Sequence, residues 1–98
     1  MEYVNSFRDL EVYRLSRKLS REVFELSKTF PKEEMYGLVS QMRRSAISIP
    51  SNIAEGYSRR HRQEYIQFVR IAFGSGAELE TQLIIAKKLG YTSTGEVR

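Results

Sequence analysis

Two short arginine runs, Arg43-Arg44 and Arg59-Arg60-His61-Arg62, carry the densest chemistry in this chain. A guanidinium presents a planar fork of donors that matches phosphate or carboxylate, so these runs point to recognition of an anion. The second run stands where an apolar-periodic segment begins, at a helix start whose dipole disfavours arginine and favours an anion. Exposed backbone N–H groups and several forks together make a phosphate site, and nucleic-acid affinity rises with each phosphate neutralised. Tyr57 and Tyr65 flank the cluster and can stack on unpaired bases. A plainer alternative stays open: a solvated loop in which the same arginines pair with Glu55, Glu64 or a neighbouring subunit.

Little else in the sequence suits catalysis. There is no Cys and a single His, which removes thiol nucleophiles, thiolate metal sites and His-pair ligation. Glu78 and Glu80 are two residues apart and do not share a helix face. Ser45, Ser48, Ser51 and Asn52 surround Pro50, where their polar groups can satisfy the carbonyls a proline releases; as a nucleophile any of these serines would need a positioned base, and the only His is lone. Gly74-Ser75-Gly76-Ala77 lacks the preceding strand and following Lys of a phosphate-cradling loop, so tight helix packing is its expected use. The expectation is a protein without cofactor or metal that is not an enzyme.

Sixteen basic against twelve acidic side chains give a net charge of +4, carried by 11 Arg and 5 Lys, in 98 residues that are 41% hydrophobic. That describes one globular domain over residues 1–98, short enough that oligomerisation would help its stability. No apolar run approaches a bilayer span, and the first residues lack the pattern of a signal peptide, so the cytoplasm is the expected location and no membrane is an expected partner.

The elements that must position the arginines are helices. Val12, Leu15, Leu19, Val23, Leu26 and Phe30 recur at three- and four-residue gaps, predicting a helix over residues 10–30 with Asp9 as N-cap and Pro31 as its stop. Lys18–Glu22 and Arg21–Glu25 are spaced for ion pairs on its solvated face. Tyr13 and Phe24, with Ser16, Ser20 and Ser27, form a second, weaker stripe suited to a subunit contact.

Met35, Leu38, Met42, Ala46, Ile49 and Ile53 predict a second helix, kinked at Pro50, with Gly56 as a C-cap candidate. A third runs from about His61 to Leu89, with Gly90 ending it. It carries one stripe through Tyr65, Val69, Ala72, Gly76, Leu79, Leu83 and Ala86 and another through Ile66, Phe73, Ala77 and Ile84. A helix apolar on so many sides needs more cover than two partner helices supply, so Phe68, Ile71, Phe73, Gly74, Gly76 and Ala77 are the expected oligomer interface.

Phe7-Arg-Asp-Leu10, Phe30-Pro31, Gln41-Met-Arg-Arg44, Ser48-Ile-Pro-Ser-Asn-Ile-Ala-Glu-Gly56, Glu64-Tyr65, Ala72-Phe-Gly-Ser75 and Leu89-Gly-Tyr91 give the stretch from Phe7 to Tyr91 a resemblance. It resembles the small four-helix-bundle family encoded in intervening sequences of bacterial 23S ribosomal RNA genes. A relative of that fold is the accessory protein of diversity-generating retroelements, a homopentameric barrel that binds nucleic acid and a reverse transcriptase. The resemblance implies an all-α, antiparallel up-down bundle that assembles into a ring, commonly a pentamer, without catalytic activity. The family's fourth helix would follow Tyr91 and is largely missing up to Arg98, so three long helices are expected, with any fourth supplied by a neighbour. His61 stands where Ser or Thr would complete a capping box with Glu64.

The resulting expectation is a homo-oligomer that binds structured RNA or other nucleic acid through Arg43, Arg44, Arg59, Arg60 and Arg62, with Tyr57 stacking. A nucleic-acid enzyme such as a reverse transcriptase is a further candidate partner. The alternative is an interaction or scaffold module whose basic surface meets an acidic protein.

Overall fold

The computed structural model describes residues 6–92, all of whose regular elements are helical. A 3-10 turn at Phe7–Asp9 leads into α1, Glu11–Ser27; a second 3-10 turn at Lys32–Glu34 precedes α2, Leu38–Ser58; and α3 spans Arg62–Lys88. The opening of another helix after Tyr91, on residues 93–98, lies outside the described residues.

Helix α2 is the centre of the molecule, because the backbones of α1 and α3 each lie close to it and not to each other. The core joins Val23 and Phe30 to Val39, Met42 and Ala46, and these to Leu79, Leu83 and Ala86. Met42 is fully enclosed, and burying such a side chain contributes about 1.5–3 kcal/mol.

Several element ends differ from the sequence reading. Asp9 does not cap α1, because it is drawn into the preceding 3-10 turn, whose own cap is Ser6, accepting from the Arg8 N–H at 3.1 Å; Leu10 takes the N-cap position. At the other end α1 stops at Ser27, and its last turn tightens as Thr29 and Phe30 N–H groups donate to Leu26 and Ser27 carbonyls before Pro31 is reached. Met35 belongs to the loop before α2 and is exposed.

The face that α1 turns to the core differs as well. Ser16, Val23 and Ser27 are buried, while Val12, Leu15 and Leu19 remain exposed at 49%, 56% and 37%. The serine stripe expected at a subunit contact is therefore the seam with α2, where small side chains let the two helices approach. Arg43 reaches across it, its Nε donating to Ser27 Oγ at 2.9 Å and its Nη2 to the Phe24 carbonyl at 3.3 Å.

Helix α2 is continuous from Leu38 to Ser58 with Pro50 inside it. Proline lacks the N–H that would bond the Ala46 carbonyl, and Ala46 is completely buried. The missing donor comes from α1 rather than from the polar residues around the proline: Ser20 Oγ donates to Ala46 O at 2.8 Å and lies 3.0 Å from Ser16 O. Asn52 Nδ2 instead bonds Ser48 O at 2.8 Å, and Ser48 Oγ accepts from Ser75 Oγ at 2.7 Å across the α2–α3 seam.

Gly56 is not a C-cap but a buried residue within α2. A Cβ there would fall 2.6 Å from Phe68 Cβ, so the missing side chain is what lets α3 sit against α2. Gly90 does end a helix as expected: at φ +82° it places the Gly90 and Tyr91 N–H groups on the Lys87 and Ala86 carbonyls, at 3.0 and 2.9 Å. The half-buried Tyr91 then packs on the core and donates its hydroxyl to Glu34 Oε2 at 2.8 Å.

Candidate nucleic-acid interface

The arginines singled out by the sequence do not form one site. Arg43 and Arg44 precede Arg59 by about four turns of α2, roughly 24 Å at 1.5 Å per residue. Arg43 is half-buried, stacked 4.7 Å over the Phe24 ring and bonded into α1, so it holds the seam rather than facing outward. Arg44 is exposed on the rim of a polar cavity of about 370 Å³ that Ser48, Ser75, Glu78 and Gln82 also border, and Gln82 Oε1 there is buried without a hydrogen-bond donor.

The α2–α3 corner gathers the rest. Arg59 is occupied, its Nη2 lying 3.0 Å from Glu55 Oε2 and its Nη1 3.8 Å from Glu64 Oε1, with its guanidinium 5.2 Å over the Phe68 ring. The plain alternative of pairing with Glu55 and Glu64 thus holds for this arginine. Arg60, His61 and Arg62 are exposed, and among the described residues their side chains make no hydrogen bond or ion pair. Arg60 adopts φ +63°, a left-handed conformation at the end of α2 that costs a non-glycine residue about 1–2 kcal/mol. His61 is the N-cap of α3 in extended conformation with no side-chain hydrogen bond, so the first turn keeps free backbone donors behind the cations. Tyr57 and Tyr65 meet edge to face with centroids 6.0 Å apart, a half-buried aromatic wall beside them.

The expected interface residues also separate. Phe73, exposed at 80%, joins Gly76 and Ala77 along an apolar groove of about 430 Å³ that Val12, Ile53 and Val69 complete between α1 and α3. Phe68 is used within the chain, against Gly56. Ile71 is exposed outside the groove lining, and a Cβ on Gly74 would meet nothing within 4 Å.

Sequence spacing hides a second cationic surface, because it offers both Lys18 and Arg21 a glutamate four residues on. Neither Lys18–Glu22 nor Arg21–Glu25 forms; Glu25 pairs with Lys28 at 3.3 Å. Arg8, Arg14, Arg17, Lys18 and Arg21 converge instead. The signal that the sequence does carry is the spacing of Arg14, Lys18 and Arg21, four and then three residues apart on one helix face.

No group of His, Cys, Asp and Glu capable of holding a metal occurs among the described residues, and no helix there is long and apolar enough to cross a membrane. The class that fold and surface define is a small helical bundle with basic outer faces and an uncovered apolar groove. The profile of the 23S rRNA-intervening sequence protein family matches residues 8–98, and the chain belongs to that family. No curated protein matches it.

Proposed function

We propose that this protein is a non-enzymatic, cytoplasmic homo-oligomer that binds nucleic acid, structured RNA foremost, at the α2–α3 corner. The observation that carries the reading is the exposed, unpaired set Arg60, His61 and Arg62 in front of the free N–H groups of α3. Unpaired cations on a helix start are electrostatically costly alone and are relieved by phosphate. The groove flanked by Phe73, Gly76 and Ala77 supports self-association, since a second copy would cover Phe73 and the other apolar side chains that line it. A ring, five-membered as the resemblance implies, repeats the corner and gives avidity.

The test is an RNA-hairpin titration at several salt concentrations with nuclease-treated protein whose mass has been measured by light scattering. Replacing Arg60 and Arg62 by Gln flattens the dependence of log affinity on log salt by about 0.7–0.9 for each phosphate no longer neutralised. An unchanged slope rejects the corner, and a monomeric mass rejects the ring. Retention of an acidic protein rather than RNA would move the reading to a scaffold role.

A further inference from the structure

Outside the corner, the outer face of α1 gathers five cations around one depression. Arg14, Arg17, Lys18 and Arg21 occupy one stripe, and Arg8 joins them from the preceding turn around a depression of about 520 Å³. Within the stripe each neighbour three or four residues away is another cation, which is weakly destabilising for a helix, and Arg14 stands in the first turn, where the dipole disfavours it. Among the described residues the only acid within ion-pair range of the stripe is Glu11, 3.9 Å from Arg14 and exposed. Two of the cations are held in place: Phe7 and Tyr13 pack edge to face at 5.0 Å, with the Arg8 guanidinium 4.7 Å over the Phe7 ring and that of Arg17 5.9 Å over Tyr13. Ser6 Oγ further accepts from Arg8 Nη1 at 3.1 Å.

We infer that this stripe is a second binding surface for a phosphodiester backbone, so that one nucleic acid contacts both α1 and the α2–α3 corner; the inference rests on the nucleic-acid reading of that corner. Position supports it, because Val12 shares a groove with Ile53 and Tyr65, which sets the start of α1 at the end of the bundle where α2 gives way to α3. Four of the five cations are arginines, whose forks suit phosphate oxygens. A lipid surface fits less well. A helix lying on a bilayer sinks the face opposite its cations into the acyl region, and here that face is buried inside the bundle at Ser16, Val23 and Ser27, leaving only the flank of Val12, Leu15 and Leu19 uncovered.

The test compares full-length wild type with two variants, Arg14→Gln/Lys18→Gln/Arg21→Gln and Arg60→Gln/Arg62→Gln, using a labelled RNA hairpin over a range of salt. The α1 variant flattens the salt slope by about 2–3, from 0.7–0.9 per neutralised phosphate, at an unchanged melting temperature. A variant with Arg14→Lys and Arg21→Lys, which keeps the charge, retains the slope. A wild-type slope in the α1 variant, with the loss confined to the corner variant, overturns the stripe and leaves the corner standing. Loss in the α1 variant alone keeps a phosphodiester site on α1 but overturns the shared contact, because the corner then takes no part. Binding to vesicles of phosphatidylserine and phosphatidylcholine, lost in the α1 variant while RNA is never bound, overturns the inference in favour of lipid.

Discussion

The two seams of the bundle share one apolar core but are fitted together by different means at their key residues. Where α2 and α3 come closest the fit is made by absence, with Gly56 leaving room for Phe68, although one hydrogen bond, Ser75 to Ser48, also crosses that seam. Between α1 and α2 it is made by polar groups, with Ser20 supplying the proton that Pro50 lacks and Arg43 reaching over to Ser27 and Phe24. At Gly56 there is no room for an added atom, whereas at Ser20 and Arg43 the seam depends on donors that must not be lost.

The largest effect that would break this contrast is at Gly56. Gly56→Ala adds a carbon within 2.6 Å of Phe68 Cβ, and we expect a net loss of about 2 kcal/mol in urea unfolding despite alanine's better helix propensity. A neutral outcome would show that the seam is loose. Next comes Ser20→Ala, which leaves the buried Ala46 carbonyl without its interhelical donor and costs about 1–2 kcal/mol. The sharper form is a double-mutant cycle with Pro50→Ala: the restored N–H can serve Ala46, so the serine penalty shrinks in that background. Equal penalties in both backgrounds would disprove the link.

Gly74→Ala sharpens the contrast from the other side. Nothing lies within 4 Å of a Cβ there, so the substitution stabilises the chain by up to about 1 kcal/mol. The smallest effect concerns Tyr91, whose hydrogen bond to Glu34, burial, and the charges of Glu34 and Glu33 raise its phenol above the ordinary 10.0. A raised value in the folded state means that the stabilisation is complete below pH 10.0 and fades as pH climbs through the raised value. Tyr91→Phe removes this alkaline decline, which paired urea melts at rising pH would detect.

The helices themselves were legible because threes and fours between apolar residues can mean little else, and Gly90 was legible because no side chain competes with its left-handed turn. What a periodic face touches was not. Leu15 and Leu19 share the spacing of Val23, yet only Val23 lies against the core. Ser20 reads as part of a stripe for a subunit contact, until a proline carbonyl on another helix of the same chain needs its proton. Gly56 and Gly90 are the same residue near a helix end, and only the position of Phe68 distinguishes a packing glycine from a capping one. Among the cations, Arg43 and Arg60 look alike in sequence; one holds a seam and the other stands in water. Charge alone does not carry that difference, because it depends on which carbonyl or ring the fold brings within reach.

The central place of α2 has a kinetic consequence. Each seam joins helices adjacent in the chain, and the backbones of α1 and α3 do not closely approach each other, so the loops that must close during folding are short. Low contact order of this kind goes with folding in microseconds to milliseconds. Both hairpins share α2, so the transition state should be richest there, and substitutions at Met42 should slow folding more than substitutions at the exposed Ile84 or Ile85.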